Sequence, residues 1–301
     1  MLHNCRVCGA LTEAETHTFQ EFMFQSMQSW DYFTCKACDC LQISVIPDDM
    51  SEHYPSNYYS MGSTRMSLSE RIRDFLSFRP SLKFLNRFGW YAIGNIRSVA
   101  GLNKKASIID IGCGSGRFLD SMRRNGFRNL TGADPFIADD MTSAGGVRIL
   151  KRDISQIDET FDVVMMHHSL EHMADQQAVI QHAFRILNPG GKLIIRIPTS
   201  DSWAYRHYGA EWAQIDPPRH FYLHSRKSIE NLVKKFGFSD FKIKDDAGTF
   251  GLIGSEKIKL GLSPLDRNPL PGDADRGLHK LSYLLNHIQQ GDMICVTATK
   301  P

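Results

Sequence analysis

A chain of 301 residues with 42% hydrophobic residues can hold one large α/β domain and a small additional module. Its formal net charge of +2 argues against a nucleic-acid partner, and no apolar run is long enough to span a bilayer. The opening MLHNCRVCGA lacks the apolar core of a signal peptide, so a cytoplasmic, reducing setting is expected. There, seven cysteines point to metal binding or burial rather than disulfides.

Two Cys-x-x-Cys pairs, Cys5/Cys8 and Cys35/Cys38, open the chain. Each pair can place two thiolates on one side of a tight turn, and together they complete a tetrahedral Zn²⁺ set. The 26 residues between the pairs are aromatic and strand-like, as in a zinc ribbon over residues 1–46. Four thiolates leave no open position, so this metal is structural. Cys40 is the reserve ligand should one of the four fail.

Residues 47–80 form a linker. HYPSNYY reads either as an aromatic loop packed on the main domain or as a lid in which Tyr58 and Tyr59 meet a substrate. SLSERIRDFLSF has the periodicity of a short amphipathic helix, and LKFLNRFGWYAIGNI continues the helical pattern.

The main domain is expected over 81–301 and is organised around IIDIGCGSGRFL, residues 108–119. An apolar strand runs into Asp110, a turn holds Gly112, Cys113, Gly114 and Gly116, and a helix begins at Arg117. The spacing is not the dinucleotide G-x-G-x-x-G, and the G-K-[ST] of a nucleotide-triphosphate loop is absent. A second strand ends in Asp134, 18 residues after Gly116, where a carboxylate suits the two hydroxyls of a ribose. A helix is expected near 137–144, then a short strand VRILK and Asp153-Ile154. Asp153 either caps a turn or binds a ligand.

The run FDVVMMHH reads as a strand buried on both faces and delivers His167, His168, Glu171 and His172 to the carboxyl edge of the sheet, where open α/β sheets bind ligands. His168, Glu171 and His172 have the composition of a metal set, but the chemistry inferred below does not demand a metal there. A helix over ADQQAVIQHAFRIL stops at an Asn-Pro-Gly-Gly turn before the strand KLIIRIP. Beyond it lies EWAQIDPPRHFYLHS, in which paired prolines fix the backbone ahead of Arg219 and His220. Strands FKIKDDA and MICVTATK close the sheet around an insertion near 250–290 that contains the helix LHKLSYLLNHI.

D-x-G-x-G-x-G at 110–116 resembles the first motif of the class I S-adenosylmethionine (SAM) methyltransferases. HxLEH at 168–172 and the Trp…Pro-Arg-His segment are similar to the type 11 and type 23 groups within them. The resemblance implies a Rossmann-like α/β fold, with a seven-stranded, mostly parallel sheet and helices on both faces. It implies SAM binding by Asp110, Gly112, Cys113, Gly114, Gly116, Asp134, Asp153, Ile154 and His167. Glu171 and His172 would shape the floor of the site.

A sugar hydroxyl is poorly acidic, so a general base is expected; His220 is the first choice and His168 the second. Arg219 stands where related zinc-ribbon sugar methyltransferases carry a glutamate; Arg219 and Tyr222 are assigned to the substrate. With the ribbon, the pattern is similar to bacterial surface-polysaccharide and deoxysugar enzymes. O- or C-methylation of a nucleotide-linked sugar or glycan is therefore expected, with a quinone or polyketide as the alternative acceptor. A zinc-ribbon RNA methyltransferase is disfavoured by the charge and by the lack of an Asn-Pro-Pro-Tyr type motif after the fourth strand. The oligomeric state is left open.

Overall fold

The structure, a computed structural model, describes residues 2–54, 68–78 and 101–301. Tyr58, Tyr59 and the LKFLNRFGWYAIGNI stretch lie outside the described residues.

The N-terminal module holds β1 (Leu2–Asn4), β2 (Leu11–Glu13), β3 (Thr16–Gln20), β4 (Ser29–Thr34) and β5 (Leu41–Ile43). β1 and β2 pair as one antiparallel unit, and β3, β4 and β5 pair antiparallel in a second sheet. The amphipathic helix expected in the linker is α1 (Leu68–Ser77), whose Asp74 pairs with Arg124 at 3.2 Å.

The main sheet follows the reading of apolar runs closely. It contains β6 (Ser107–Ile111), β7 (Asn129–Ala133), β8 (Met141–Thr142), β9 (Arg148–Leu150), β10 (Phe161–His167) and β11 (Leu187–Pro198). After β12 (Tyr222–Leu223), which belongs elsewhere, β13 (Ser239–Asp245) and β14 (Met293–Thr299) complete it. Its order is β13-β14-β11-β10-β6-β7-β9-β8, so there are eight strands rather than the expected seven. The extra one is β8, which pairs antiparallel with β9 where a helix was expected near 137–144. The physical reason is local. Ser143 and Val147 close a tight turn at 2.8 Å, and Gly146 takes φ +82°, so the chain reverses before one helical turn can form.

Both faces of the parallel strands are buried. Ile109, Val164, Met166 and Ile195 face one core; Ile108, Val163, Met165 and Ile194 face the other. Leu119 and Met122 of α2 (Arg117–Arg124) pack on the second. The first core takes α3 (Gln176–Ile186) and α5 (Arg226–Lys235), with α4 (Trp203–Tyr208) nearby. Residues 188–191 loop out between two pairings, Leu187 with Phe161 and Lys192 with Val163, as the Asn-Pro-Gly-Gly signal predicts.

The insertion supplies two helices, α6 (Phe250–Lys259) and α7 (Ala274–His287). Glycines let α6 approach its neighbours: a Cβ at Gly254 would stand 2.8 Å from Ala213 Cβ.

The module is not a separate lobe. β12, from the segment between α4 and α5, pairs antiparallel with β5 and covers that edge of the module's sheet. Cys5, Val7, Tyr32, Leu41 and Ile43 join the same core as α3 and α5. Across this seam Arg219 donates to Glu21 at 2.6 Å, to both oxygens of Asp216 from Nε at 3.0 Å, and to the His53 carbonyl at 3.2 Å. Arg219 is 1% exposed. Removing one member of a buried ion pair leaves the other charge uncompensated at about 3–5 kcal/mol. Urea unfolding of Arg219→Met should show a loss of that order. A change below about 1 kcal/mol would mean that the seam does not stabilise the fold.

Candidate active site

The strand order reverses between β6 and β10, which places a cleft at their carboxyl ends. β6 delivers Asp110 and β10 delivers His167 to that edge. The two are tied together where Ser169 Oγ donates to the Ile111 carbonyl at 2.6 Å.

The glycine turn is open on its backbone side. Gly112, Gly114 and Gly116 all take positive φ (+73°, +54° and +78°), which side chains other than glycine rarely adopt. A Cβ on Gly112 would stand 2.5 Å from Ser169 Cβ, and one on Gly116 would stand 2.7 Å from Ile149 Cδ1. Gly116 is also the N-cap of α2, so the positive end of that helix looks into the turn. Asp134 folds over it. Its Oδ2 accepts from Gly114 N at 2.8 Å and its Oδ1 from Phe136 N at 2.9 Å. Each carboxylate oxygen keeps a second lone pair for a ligand hydroxyl.

Asp110 is buried, and its Oδ1 has no hydrogen-bond partner. Burial pushes its carboxyl well above the usual carboxylate range, so a donor arriving in the turn would be strongly held. SAM carries such donors, an ammonium and two ribose hydroxyls. The bare oxygen and the glycine turn therefore fit it.

Cys113 is partly buried, its sulfur packed beside Gly132. The His167 ring stacks on Phe118 with centroids 4.1 Å apart, and Phe118 stacks on Phe78 at 6.3 Å. Asp153 caps the short 3-10 turn Ile154–Gln156 through a capping box with Gln156. Its carboxylate is exposed and accepts from Ser155 N at 2.9 Å; Ile154 is buried.

The acceptor side is built on the turn after β10 and on the Pro-Arg-His loop. Phe221 N donates to the Glu171 carbonyl at 2.8 Å, which brings His172 against His220 with ring centroids 4.7 Å apart. Nδ1 of His220 lies 2.7 Å from the Gln214 carbonyl, and Nδ1 of His172 lies 2.8 Å from the Arg219 carbonyl. A carbonyl only accepts, so both rings carry their proton on Nδ1 and leave the Nε2 lone pair bare. Burial lowers the pKa of His220 and takes that of His172 down to about 3, so both rings are neutral near pH 7. Glu171 is fully buried, neither carboxylate oxygen has a hydrogen-bond partner, and desolvation raises its pKa to about 8.

His168 stands apart. Its side chain is 45% exposed, its backbone takes φ +54°, and its Nε2 meets Nη1 of Arg196, which is itself bound to Asp246 at 2.8 Å. With that lone pair engaged, His168 is less suited to a proton-accepting role than His220. The assignment of Arg219 and Tyr222 to the substrate gives way to a structural role. Arg219 is consumed by the seam, with its guanidinium 4.7 Å over Phe24. Tyr222 donates to the Ala174 carbonyl at 2.6 Å and accepts from Arg6 Nε at 3.1 Å.

The four predicted thiols do converge. Cys5 and Cys38 sulfurs are 3.7 Å apart and Cys8 and Cys35 sulfurs 3.8 Å, and all four lie within 4.8 Å of one another. A tetrahedral Zn²⁺ with 2.3 Å bonds needs sulfur separations of about 3.8 Å. Gln42 Nε2 also donates to Cys5 Sγ at 3.1 Å, the outer hydrogen bond a thiolate ligand calls for. Cys40 is not among them; its sulfur faces the Leu41 and Leu223 carbonyls.

Sequence reasoning passed over Glu21, Asp216 and Gln214. Glu21 had a signal, a lone acid amid Phe19, Phe22, Met23 and Phe24, which a core admits only if it is paired.

Comparison with known proteins agrees with the cofactor half of this site. A family model described as "Methyltransferase domain", type 23, matches residues 84–242, more than half of the chain. A ubiquinone biosynthesis O-methyltransferase of Rhizobium etli is 28% identical over 207 residues, covering 60% of this chain and 83% of that protein. One from Azorhizobium caulinodans is 31% identical over 51% of this chain and 64% of its own length. A solved SAM-dependent methyltransferase from Thermotoga maritima aligns with 78% of this chain and all of its own at 19% identity, with a TM-score of 0.44.

Gly112→Ala should abolish binding of S-adenosylhomocysteine, measured calorimetrically, while leaving the circular dichroism spectrum unchanged; undiminished affinity would remove the turn from the cofactor site. The chain belongs to the type 23 methyltransferase domain family and is a SAM-dependent methyltransferase.

Proposed function

We propose that this enzyme O-methylates a hydroxyl of a small aromatic metabolite of quinone or phenol type. The observation that carries the reading is the buried group Glu171, His172 and His220 beside the cofactor turn. An amine acceptor is nucleophilic without help, whereas a hydroxyl must shed a proton, and this group is placed to draw one off. The names of the relatives at about 30% identity favour a quinone-type acceptor.

When bound, SAM supplies a sulfonium methyl: the acceptor oxygen bonds to that carbon as the carbon–sulfur bond breaks, and the electron pair stays on sulfur. Asp110, the glycine turn and Asp134 hold the cofactor so that sulfur, carbon and oxygen fall in line, and positioning of this kind lowers a barrier by roughly 7–11 kcal/mol. Bare Nε2 of His220 is the nearest proton acceptor in this reading, worth roughly 10²–10⁴-fold. Cys5, Cys8, Cys35 and Cys38 hold a structural Zn²⁺, and through β5 and β12 the module fixes the loop that bears His220.

A second reading, methylation of a nucleotide-linked sugar or glycan, is favoured by the packing of a four-cysteine module on the Pro-Arg-His loop.

A panel of dihydroxybenzoates, hydroxyquinones and nucleotide sugars, assayed for methyl transfer from labelled SAM, separates the two readings. Turnover of phenols alone is expected; turnover of nucleotide sugars alone would replace the first reading by the second. On the accepted substrate His220→Ala should cut kcat about 10²-fold or more with affinity for S-adenosylhomocysteine unchanged. An unaltered kcat would exclude His220. Removing zinc with a thiol-directed mercurial and a chelator should release one equivalent of metal and abolish turnover; full activity after release would detach the module from catalysis.

A further inference from the structure

The three groups on the acceptor side have the composition of a second metal centre, distinct from the cysteine cluster. We infer that Glu171, His172 and His220 bind a divalent first-row cation such as Zn²⁺ or Fe²⁺.

One ligand atom from each of the three lies within 4.8 Å of the others. Bonds of 2.0–2.2 Å in tetrahedral geometry require separations of about 3.4 Å, which small side-chain rotations supply. Two imidazoles and one carboxylate are a set that Zn²⁺ and non-haem Fe²⁺ accept, with positions left open for a further ligand.

The hydrogen bonds point the same way. A ligating histidine donates its other ring N–H to a carbonyl or carboxylate, which fixes the tautomer and aims the bare nitrogen at the metal. His172 and His220 both do so, to Arg219 O and Gln214 O. The backbone carbonyls that orient them are themselves anchored, since Arg219 is locked in the seam and Tyr32 donates to His220 O at 2.9 Å.

Glu171 supplies an independent observation. It is 0% exposed, and both of its carboxylate oxygens lack a partner. Leaving a buried polar group unsatisfied is costly, and more so for a charged one. The neutral rings beside it offer lone pairs rather than hydrogens, so they cannot satisfy it. A cation would satisfy the carboxylate and both lone pairs at once. On the sequence alone the metal set would have been His168, Glu171 and His172; the structure exchanges His168, whose Nε2 faces Arg196, for His220.

The consequence for catalysis rests on the reading above. An acceptor hydroxyl bound at the open position would be acidified by the ion and release its proton to water, after which its oxygen attacks the methyl group. Binding itself needs no substrate. It can therefore fail while methylation stands, and methylation can fail while binding stands.

The test is a Co²⁺ titration of the full chain with its cysteine cluster loaded with Zn²⁺, followed by equilibrium dialysis and absorption. One further equivalent is expected, without thiolate-to-cobalt charge-transfer bands, and bound about tenfold more weakly or worse by Glu171→Gln and by His172→Gln. No Co²⁺ bound beyond the cysteine site, or equal binding by both variants, would overturn the inference. If neither variant folds, the wild type decides. Paramagnetic Co²⁺ must shift the ring-proton resonances of His172 and His220, and unshifted resonances would overturn it equally.

Discussion

The structure depends on one buried cation. Arg219 sits between Glu21 of the N-terminal module and Asp216 of its own loop, almost without solvent. A guanidinium is charged at any working pH and is matched in its planar fork by carboxylates. Burying it is tolerable only because both acids are there, and the acids are tolerable only because it is. Glu21 in turn accepts from Phe24 N, Ser26 N and Ser26 Oγ, so the pair also folds the turn after β3. The next residue along is His220. The ion pair therefore ties the metal-binding module to the residue that faces the acceptor.

Seen this way, the site has two halves with different supports. The cofactor half is held by the parallel sheet: backbone hydrogen bonds, a glycine turn and Asp134 bonded to that turn. The acceptor half is held by the module, through Tyr32 on His220 O, Ile43 N on Phe221 O, and Arg6 on Tyr222. Arg6 lies between Cys5 and Cys8, so the order of the cysteine turn is transmitted to the acceptor loop in two bonds. A methyltransferase that draws a proton from its acceptor needs rigidity on that side as much as on the cofactor side, because in-line attack fails when the nucleophile is misplaced.

The sequence made the cofactor half readable because that half is local. Strand, turn and helix follow one another within residues 107–124, and only glycine can adopt the three positive φ values. The two cysteine pairs were readable for the same reason. The acceptor half was not, because it is made of long-range contacts. Arg219 was assigned to substrate since nothing local shows that Glu21, 198 positions earlier, would take it. Tyr222 was assigned in the same way and turned out to be a strand residue at the seam. The edge strand β8 was missed because two residues carry no periodicity, and α6 because its glycines imitate a loop. His220 was singled out correctly as a candidate, but its neighbours in space, Glu171 and His172, were grouped with His168, their neighbour in sequence.

The central claim is that the seam positions the acceptor side without touching the cofactor side. Steady-state kinetics of Glu21→Gln beside calorimetry of S-adenosylhomocysteine test it directly, since the substitution keeps the shape and removes the charge that holds Arg219. The account predicts a kcat lowered about tenfold or more with cofactor affinity unchanged, because His220 loses its support while the glycine turn keeps its own. An unchanged kcat, or a cofactor affinity that falls in step with it, would contradict the account.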